Sequence, residues 1–208
     1  MNRFLILAFA LAGALCAADG PRLFYSKAFP GSTPAYVQVT LDRAGAAEYR
    51  EAPDDSPLTF NLTPAETAEV FGLADKLDHF KRPLESPLKV AFMGKKTFRW
   101  EAGAEKQEVT FNYSEDPDAR ALWDWFERMT DSEQLRINLD RAAKYDKLGV
   151  FKAVTQLQDA LEQKRLVGAP QFLPTLDRII KNESYMHTAR VRASEIAEAI
   201  RNGPPPAQ

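Results

Sequence analysis

The chain has 208 residues, a formal net charge of −2 and a single cysteine, Cys16. Lysines and arginines are spread along it without a basic cluster, which excludes a phosphate-binding face for nucleic acid. The lone cysteine excludes an internal disulfide, and the length is sufficient for a hydrophobic core that holds the fold without one.

The first 18 residues have the pattern of a secretory signal peptide. A charged start at Arg3 is followed by an apolar run and by small residues at Ala17 and Ala18, where we expect cleavage. Cys16 also permits a lipid-anchor interpretation, but Leu15 occupies a position where a small residue is usual. No later segment reaches the ~20 apolar residues of a membrane-spanning helix. We therefore expect an exported protein, periplasmic or extracellular, that is soluble after cleavage.

After an irregular stretch with several prolines, residues 36–50 predict a first β-hairpin. Val37, Val39 and Leu41 alternate with polar residues, and a turn around Gly45 leads to a return strand that contains Tyr49. Residues 51–58 are predicted to form a polar loop.

Residues 63–66 predict the start of a helix. The side chains of Thr63 and Glu66 can each accept a hydrogen bond from the other's main-chain amide, and Pro64 occupies the first turn, where no amide partner is needed. Apolar residues then recur at helical spacing as far as residue 77, at Val70, Leu73, Ala74 and Leu77. This spacing predicts a helix with one buried face.

Residues 96–113 predict a second hairpin with an aromatic-rich face. The residues expected on that face are Phe98, Trp100, Val109, Phe111 and Tyr113. A helix capped by Asp116 follows, with Leu122, Trp125, Phe126 and Met129 on one side. The order hairpin, helix, hairpin, helix predicts an α+β domain over residues 19–130, in which both helices cover one face of an antiparallel sheet.

From residue 131 onward the sequence predicts only helices. A second capping-box pattern at residues 130–133 predicts a helix start, and apolar spacing predicts further helices near residues 150–161, 172–180 and 189–200. We expect a helical domain, a bundle or a hairpin, over residues 131–202 and a disordered tail over residues 203–208.

Two resemblances accompany this prediction. The succession YVQVTLDRAGAAEY, LTPAETAEVFGLADKLDHF and the second hairpin, over roughly residues 24–129, resembles an uncharacterised domain of exported bacterial proteins. This resemblance implies an origin in a bacterial envelope. The segments FLPTLDRIIKNES and RVRASEIAEAIR are similar to the paired helices of HEAT-type repeats, but YMHTA separates them and no further copies follow. A helical hairpin or bundle is therefore expected instead of a solenoid.

The sequence predicts no catalytic residue, cofactor or metal. His79 and His187, the two histidines, are far apart in the chain and lack neighbouring residues at metal-ligand spacing. The acidic residues around Asp116 fit helix capping as well as Ca²⁺ binding. Asp54 and Asp55 could serve as an acid and a base, but a polar loop explains them by solvation.

A binding surface is predicted from position alone. Trp123 lies off the apolar face of its helix, so it either stacks on a ligand or packs against the C-terminal helices. The candidate surface is a groove with Trp123 on one side and Tyr185, Arg190 and Arg192 on the other. We predict a non-catalytic binding or interaction protein whose partner is an unknown envelope protein or polymer. The alternative is an envelope hydrolase with scattered carboxylates and a histidine in its active site.

Overall fold

The computed structural model describes residues 20–203 and confirms the α+β prediction. The predicted signal peptide and the tail beyond residue 203 lie outside the described residues. The strands are β1 (Arg22–Ala28), β2 (Tyr36–Asp42), β3 (Ala46–Arg50), β4 (Leu58–Asn61), β5 (Lys95–Ala102) and β6 (Glu105–Phe111). The helices are α1 (Pro64–Lys76), α2 (Pro117–Tyr145), α3 (Gly149–Glu162), α4 (Leu173–Lys181) and α5 (His187–Asn202). Among the described residues, no helix is both long and apolar enough to cross a membrane.

All six strands form one antiparallel sheet in the order β4-β3-β2-β1-β5-β6. The prediction that the chain is irregular before residue 36 is wrong, because β1 lies there. This strand pairs with β2 of the first hairpin and with β5 of the second. In its register Tyr25 faces Val39 of β2 and Phe98 of β5. Pro21 and Pro30 flank β1 without entering it, so they remove no amide from the strand ladder. The predicted polar loop ends where β4 begins.

The inner face of the sheet packs against α1 and α2 in a first hydrophobic cluster. The predicted aromatic face is confirmed for Phe98, Trp100 and Phe111, which are buried. Val109 is half-buried, and Tyr113 lies beyond the end of β6. Because both helices lie on this face, most polar side chains of the strands lie on the opposite face, but Lys27 and Lys96 share the inner face with Tyr25 and Phe98.

The predicted helix as far as residue 145 is present, but its predicted start at residues 130–133 is wrong, because α2 continues through them without interruption. The Thr130 hydroxyl donates to the main-chain carbonyl of Phe126 at 3.0 Å, one turn earlier in the same helix. Ser132 Oγ instead accepts from the Val167 amide at 2.9 Å. Neither side chain caps a helix start, so the predicted domain boundary at residue 130 falls inside α2.

The C-terminal part of α2 packs with α3, α4 and α5 around a second hydrophobic cluster. These three helices confirm the predictions made for residues 150–161, 172–180 and 189–200. Residues 164–168, between α3 and α4, reach back to the first cluster, where Val167 is fully buried. Arg128 of α2 donates Nη2 to the Lys164 carbonyl at 3.1 Å. The two clusters are therefore linked both by α2 and by this loop.

Candidate functional site

Of the four residues proposed from the sequence, Trp123 packs against the first cluster and Tyr185 belongs to the second, while Arg190 and Arg192 lie on α5. Trp123 packs against the first cluster, and its Nε1 donates to a carboxylate of α2 at 2.9 Å. Tyr185 is buried in the second cluster and donates to a main-chain carbonyl of α2 at 2.6 Å. Arg192 donates to a threonine hydroxyl of α3 at 2.6 Å. Among residues 20–203, no hydrogen bond or ring contact joins Trp123 to Tyr185, Arg190 or Arg192, so the predicted groove stays a prediction.

The two histidines lie at different helix ends. The ring of His79 stacks on Trp100 with 3.9 Å between ring centroids, and its Nε2 lies 2.9 Å from Asp75 Oδ1. His187 is exposed at the start of α5. In the described part of the chain, no three His, Cys, Asp or Glu side chains come together as a metal-binding group.

A polar cluster that the sequence analysis missed lies at one end of the sheet, formed by Tyr25, Lys27, Lys96, Trp123 and Glu127. Lys27 of β1 faces Lys96 of β5 in the strand register. Glu127 of α2 accepts hydrogen bonds from Lys27 Nζ at 2.8 Å, from Tyr25 Oη at 2.7 Å and from Trp123 Nε1 at 2.9 Å. Burial alone would raise the pKa of Glu127, but these hydrogen bonds outweigh it and lower the pKa below its usual value.

Lys96 is the fully buried charged residue of this polar cluster. Its Nζ donates to the main-chain carbonyls of Met93 at 3.1 Å, Gly94 at 3.1 Å and Asn112 at 2.7 Å, and lies 4.1 Å from the ring centroid of Trp123. Burial, assisted by the charge of Lys27, lowers the pKa of Lys96 to about 8. A shifted pKa is typical of functional sites, but all three ammonium protons are used by carbonyls. Lys96 therefore joins the chain before β5 to the end of β6.

That preceding chain carries a run of exposed apolar side chains, which we call the apolar segment and define as residues 88–93. Leu88 is 54% exposed and Phe92 is 56% exposed, and Val90 and Met93 are also exposed. One side of Phe92 contacts Phe29, with 5.8 Å between the ring centroids. Contiguous exposed apolar side chains are typical of interaction sites, because water contact with them is unfavourable.

The backbone of the apolar segment is held against the sheet end. The side chain of Asn112 accepts from the Met93 amide at 2.7 Å and donates to the Ala91 carbonyl at 3.0 Å. Gly94 follows with φ +93°, and a Cβ at this position would lie 3.1 Å from Cβ of Phe29. A glycine is required by both constraints. Together with the bonds of Lys96, these contacts fix the segment while its apolar side chains face outward.

Two cavities lie elsewhere on the surface. One of about 370 Å³ lies between α2 and α3 and is lined by residues that include Gln134, Asn138 and Arg165. The other, of about 430 Å³, lies beside β4 and is lined by residues that include Arg136 and Gln171. Neither is lined by the apolar segment or by the polar cluster, so they are separate surfaces.

No protein-family model matches this chain. A search of curated proteins finds no match either.

Proposed function

We propose that this protein is a non-catalytic interaction protein of the bacterial envelope, and that a protein partner binds its apolar segment at residues 88–93. The observation that supports this proposal is the exposure of four large apolar side chains on a fixed backbone. A fixed backbone presents these side chains to a partner in one arrangement.

A partner that covers the segment would gain binding free energy from the burial of its apolar side chains. Complete burial of one large apolar side chain contributes about 1.5–3 kcal/mol, and Leu88 and Phe92 each have more than half of their surface still to bury. The segment is already ordered by Asn112 and Lys96, so a partner loses little binding free energy to ordering this backbone. Both effects favour a stable complex at this surface.

Photo-crosslinking in the native envelope tests the proposal. The full chain is produced with the photoreactive residue p-benzoylphenylalanine in place of Phe92, and adducts are identified by mass after irradiation. The matched control carries the same residue in place of Leu148, which is 79% exposed in the turn between α2 and α3.

We expect a discrete protein adduct from position 92 and a much weaker one from position 148. Equal yields at both positions would show that exposure alone explains the adducts. An absence of protein adducts at position 92, with the variant folded as judged by its thermal unfolding, would also contradict the proposal.

A further inference from the structure

The main chain of the apolar segment has one occupied edge and one open edge. Residue 88 of the apolar segment lies in a bend, and residues 89–94 continue from it without a turn or bend. In an extended chain successive residues direct their amide and carbonyl groups to opposite edges. Ala91 and Met93 face Asn112, so Val90 and Phe92 face away from it. Within the described residues, no hydrogen bond uses the main-chain groups of Val90 or Phe92.

The side chains of the segment add a pattern of their own. Val90 and Phe92 are two residues apart, so in an extended chain they lie on one face, and Leu88 precedes them in a bend. Lys89, near the start of the segment, and Lys95, the first residue of β5, are both exposed. Neither lysine has a carboxylate within salt-bridge distance among residues 20–203. The segment thus offers an unpaired strand edge, an apolar face and two positive charges.

The geometry points to a partner that adds an extended peptide strand along the Val90 and Phe92 edge, with apolar residues against Leu88, Val90 and Phe92 and acidic residues near Lys89 and Lys95. This inference rests on the proposed function and specifies how the partner binds. Strand addition uses main-chain hydrogen bonds for affinity and alternate side chains for specificity. An acidic peptide strand would pair with the open amides and place carboxylates beside the two lysines.

Two other occupants fit these observations less well. Insertion into a lipid surface would remove water from the amides of Val90 and Phe92 without replacing their hydrogen bonds, which is unfavourable. A second copy of this chain would bring the same lysines, Lys89 and Lys95, to both sides of the contact, and like charges repel. An acidic strand from another protein has neither disadvantage.

The test measures crosslinking from position 88 in two proline variants of the full chain. The photoreactive residue replaces Leu88, and either Val90→Pro or Ala91→Pro is added. Proline removes one amide proton in each case. The amide at Val90 faces the open edge, whereas the amide at Ala91 faces Asn112 and makes no hydrogen bond with the described residues. We expect Val90→Pro to lose most of the protein adduct and Ala91→Pro to keep most of it.

A second part of the experiment reverses the charge of one lysine and does not depend on the proline variants. Lys89→Glu is compared with Lys147→Glu, which changes an exposed lysine near the start of α3. Opposite charges at an interface accelerate association, and salt screens them. We expect Lys89→Glu to lower the adduct yield several-fold and to abolish its salt dependence, and Lys147→Glu to do neither.

The outcomes separate this inference from the proposed function. If the adduct forms but both proline variants keep it, strand addition is wrong and the binding site at residues 88–93 stands. An adduct with the mass of two copies of this chain, or with a phospholipid, would replace the acidic strand with that occupant. If the chain with the photoreactive residue at position 88 and no proline gives no protein adduct, both proposals fail.

Discussion

The clearest conflict between a residue and its surroundings is the burial of Lys96 on the inner face of the sheet. A buried ammonium is unfavourable unless its protons are donated and its charge is balanced. Three main-chain carbonyls accept its protons, the ring of Trp123 lies against Nζ, and Glu127 contributes a favourable electrostatic interaction. The lysine therefore links Met93 and Gly94, which precede β5, to Asn112, which follows β6.

Removal of this ammonium is expected to destabilise the fold. Lys96→Met keeps the apolar stem but leaves the carbonyls of Met93, Gly94 and Asn112 without a donor. At about 1–3 kcal/mol for a buried polar group left unpaired, we expect the free energy of unfolding to fall by roughly 3 kcal/mol in urea titrations. The control Lys95→Met changes the exposed neighbour and should stay within about 0.5 kcal/mol of wild type. An equal effect of both substitutions would contradict the role assigned to Lys96.

The comparison of wild type with Lys96→Met also predicts whether the free energy of unfolding rises or falls with pH. Burial lowers the pKa of Lys96 from 10.5 to about 8, so the folded chain releases this proton at a lower pH than the unfolded chain does. Between these values the unfolded state binds more protons, and stability rises with pH. The stability difference between wild type and Lys96→Met should therefore increase from about pH 8 towards about pH 10. A difference that stays constant or decreases over this interval would contradict the lowered pKa.

Local patterns in the sequence were sufficient to predict the elements whose own residues decide their structure. The capping box at Thr63 and Glu66 is present as predicted, and so is the alternation that buries Phe98 and Trp100. Lys96 has the same parity in β5 as Phe98, so alternation places it on the inner face. The alternation does not show which groups accept its protons, namely the carbonyls of Met93 and Gly94 just before it and of Asn112 after β6.

The remaining elements depend on contacts that a local pattern does not contain. Residues 130–133 match a capping box, but their side chains bond within α2 or to the loop after α3. The alternation of Leu88, Val90 and Phe92 resembles that of a half-buried strand, and such residues are normally covered. In the structure Gly94 and Asn112 hold this segment at the sheet end, so its exposure is a tertiary property.

The start of α1 offers a test at the level of elements. Glu66 closes the capping box through Oε2, and its Oε1 accepts from the Gly168 amide at 3.2 Å. Thr63→Ala removes only the cap, so its cost should be about 1 kcal/mol. Glu66→Ala removes the cap and the bond to the loop before α4, so we expect a larger loss, of about 2 kcal/mol.

Thermal or urea unfolding of the two variants measures the difference, and amide hydrogen exchange locates it. Faster exchange at Gly168 is expected in Glu66→Ala but not in Thr63→Ala. Equal losses of stability with unchanged exchange at Gly168 would show that the bond from α1 to this loop contributes nothing.

At the scale of the whole molecule, the predicted domains are connected by more than a linker. The helix α2 contributes Phe126 to the first cluster and Leu139 to the second, and it is continuous between them. The loop at residues 164–168 inserts Val167 into the first cluster, although it belongs to the helical part in sequence. Loss of either cluster would expose a face of α2 that the other cluster does not cover. The fold should therefore behave as one cooperative unit.

The tryptophans allow this cooperativity to be measured without labels. Trp100, Trp123 and Trp125 are the three tryptophans of the chain, and all belong to or pack against the first cluster. Their fluorescence reports on the first cluster, whereas far-ultraviolet circular dichroism is dominated by the helices, most of which surround the second. We expect the two signals to give the same urea midpoint.

Val167→Ala should lower both midpoints together, because it shortens a fully buried side chain at the junction of the two parts. Loss of the two methyl groups is expected to reduce the free energy of unfolding by about 2 kcal/mol. The control Val191→Ala makes the same change at an exposed position of α5 and should leave both midpoints nearly unchanged. If Val167→Ala shifted the fluorescence midpoint but not the circular dichroism midpoint, residues 19–130 and 131–202 would unfold as separate domains, and the continuous α2 would not couple them.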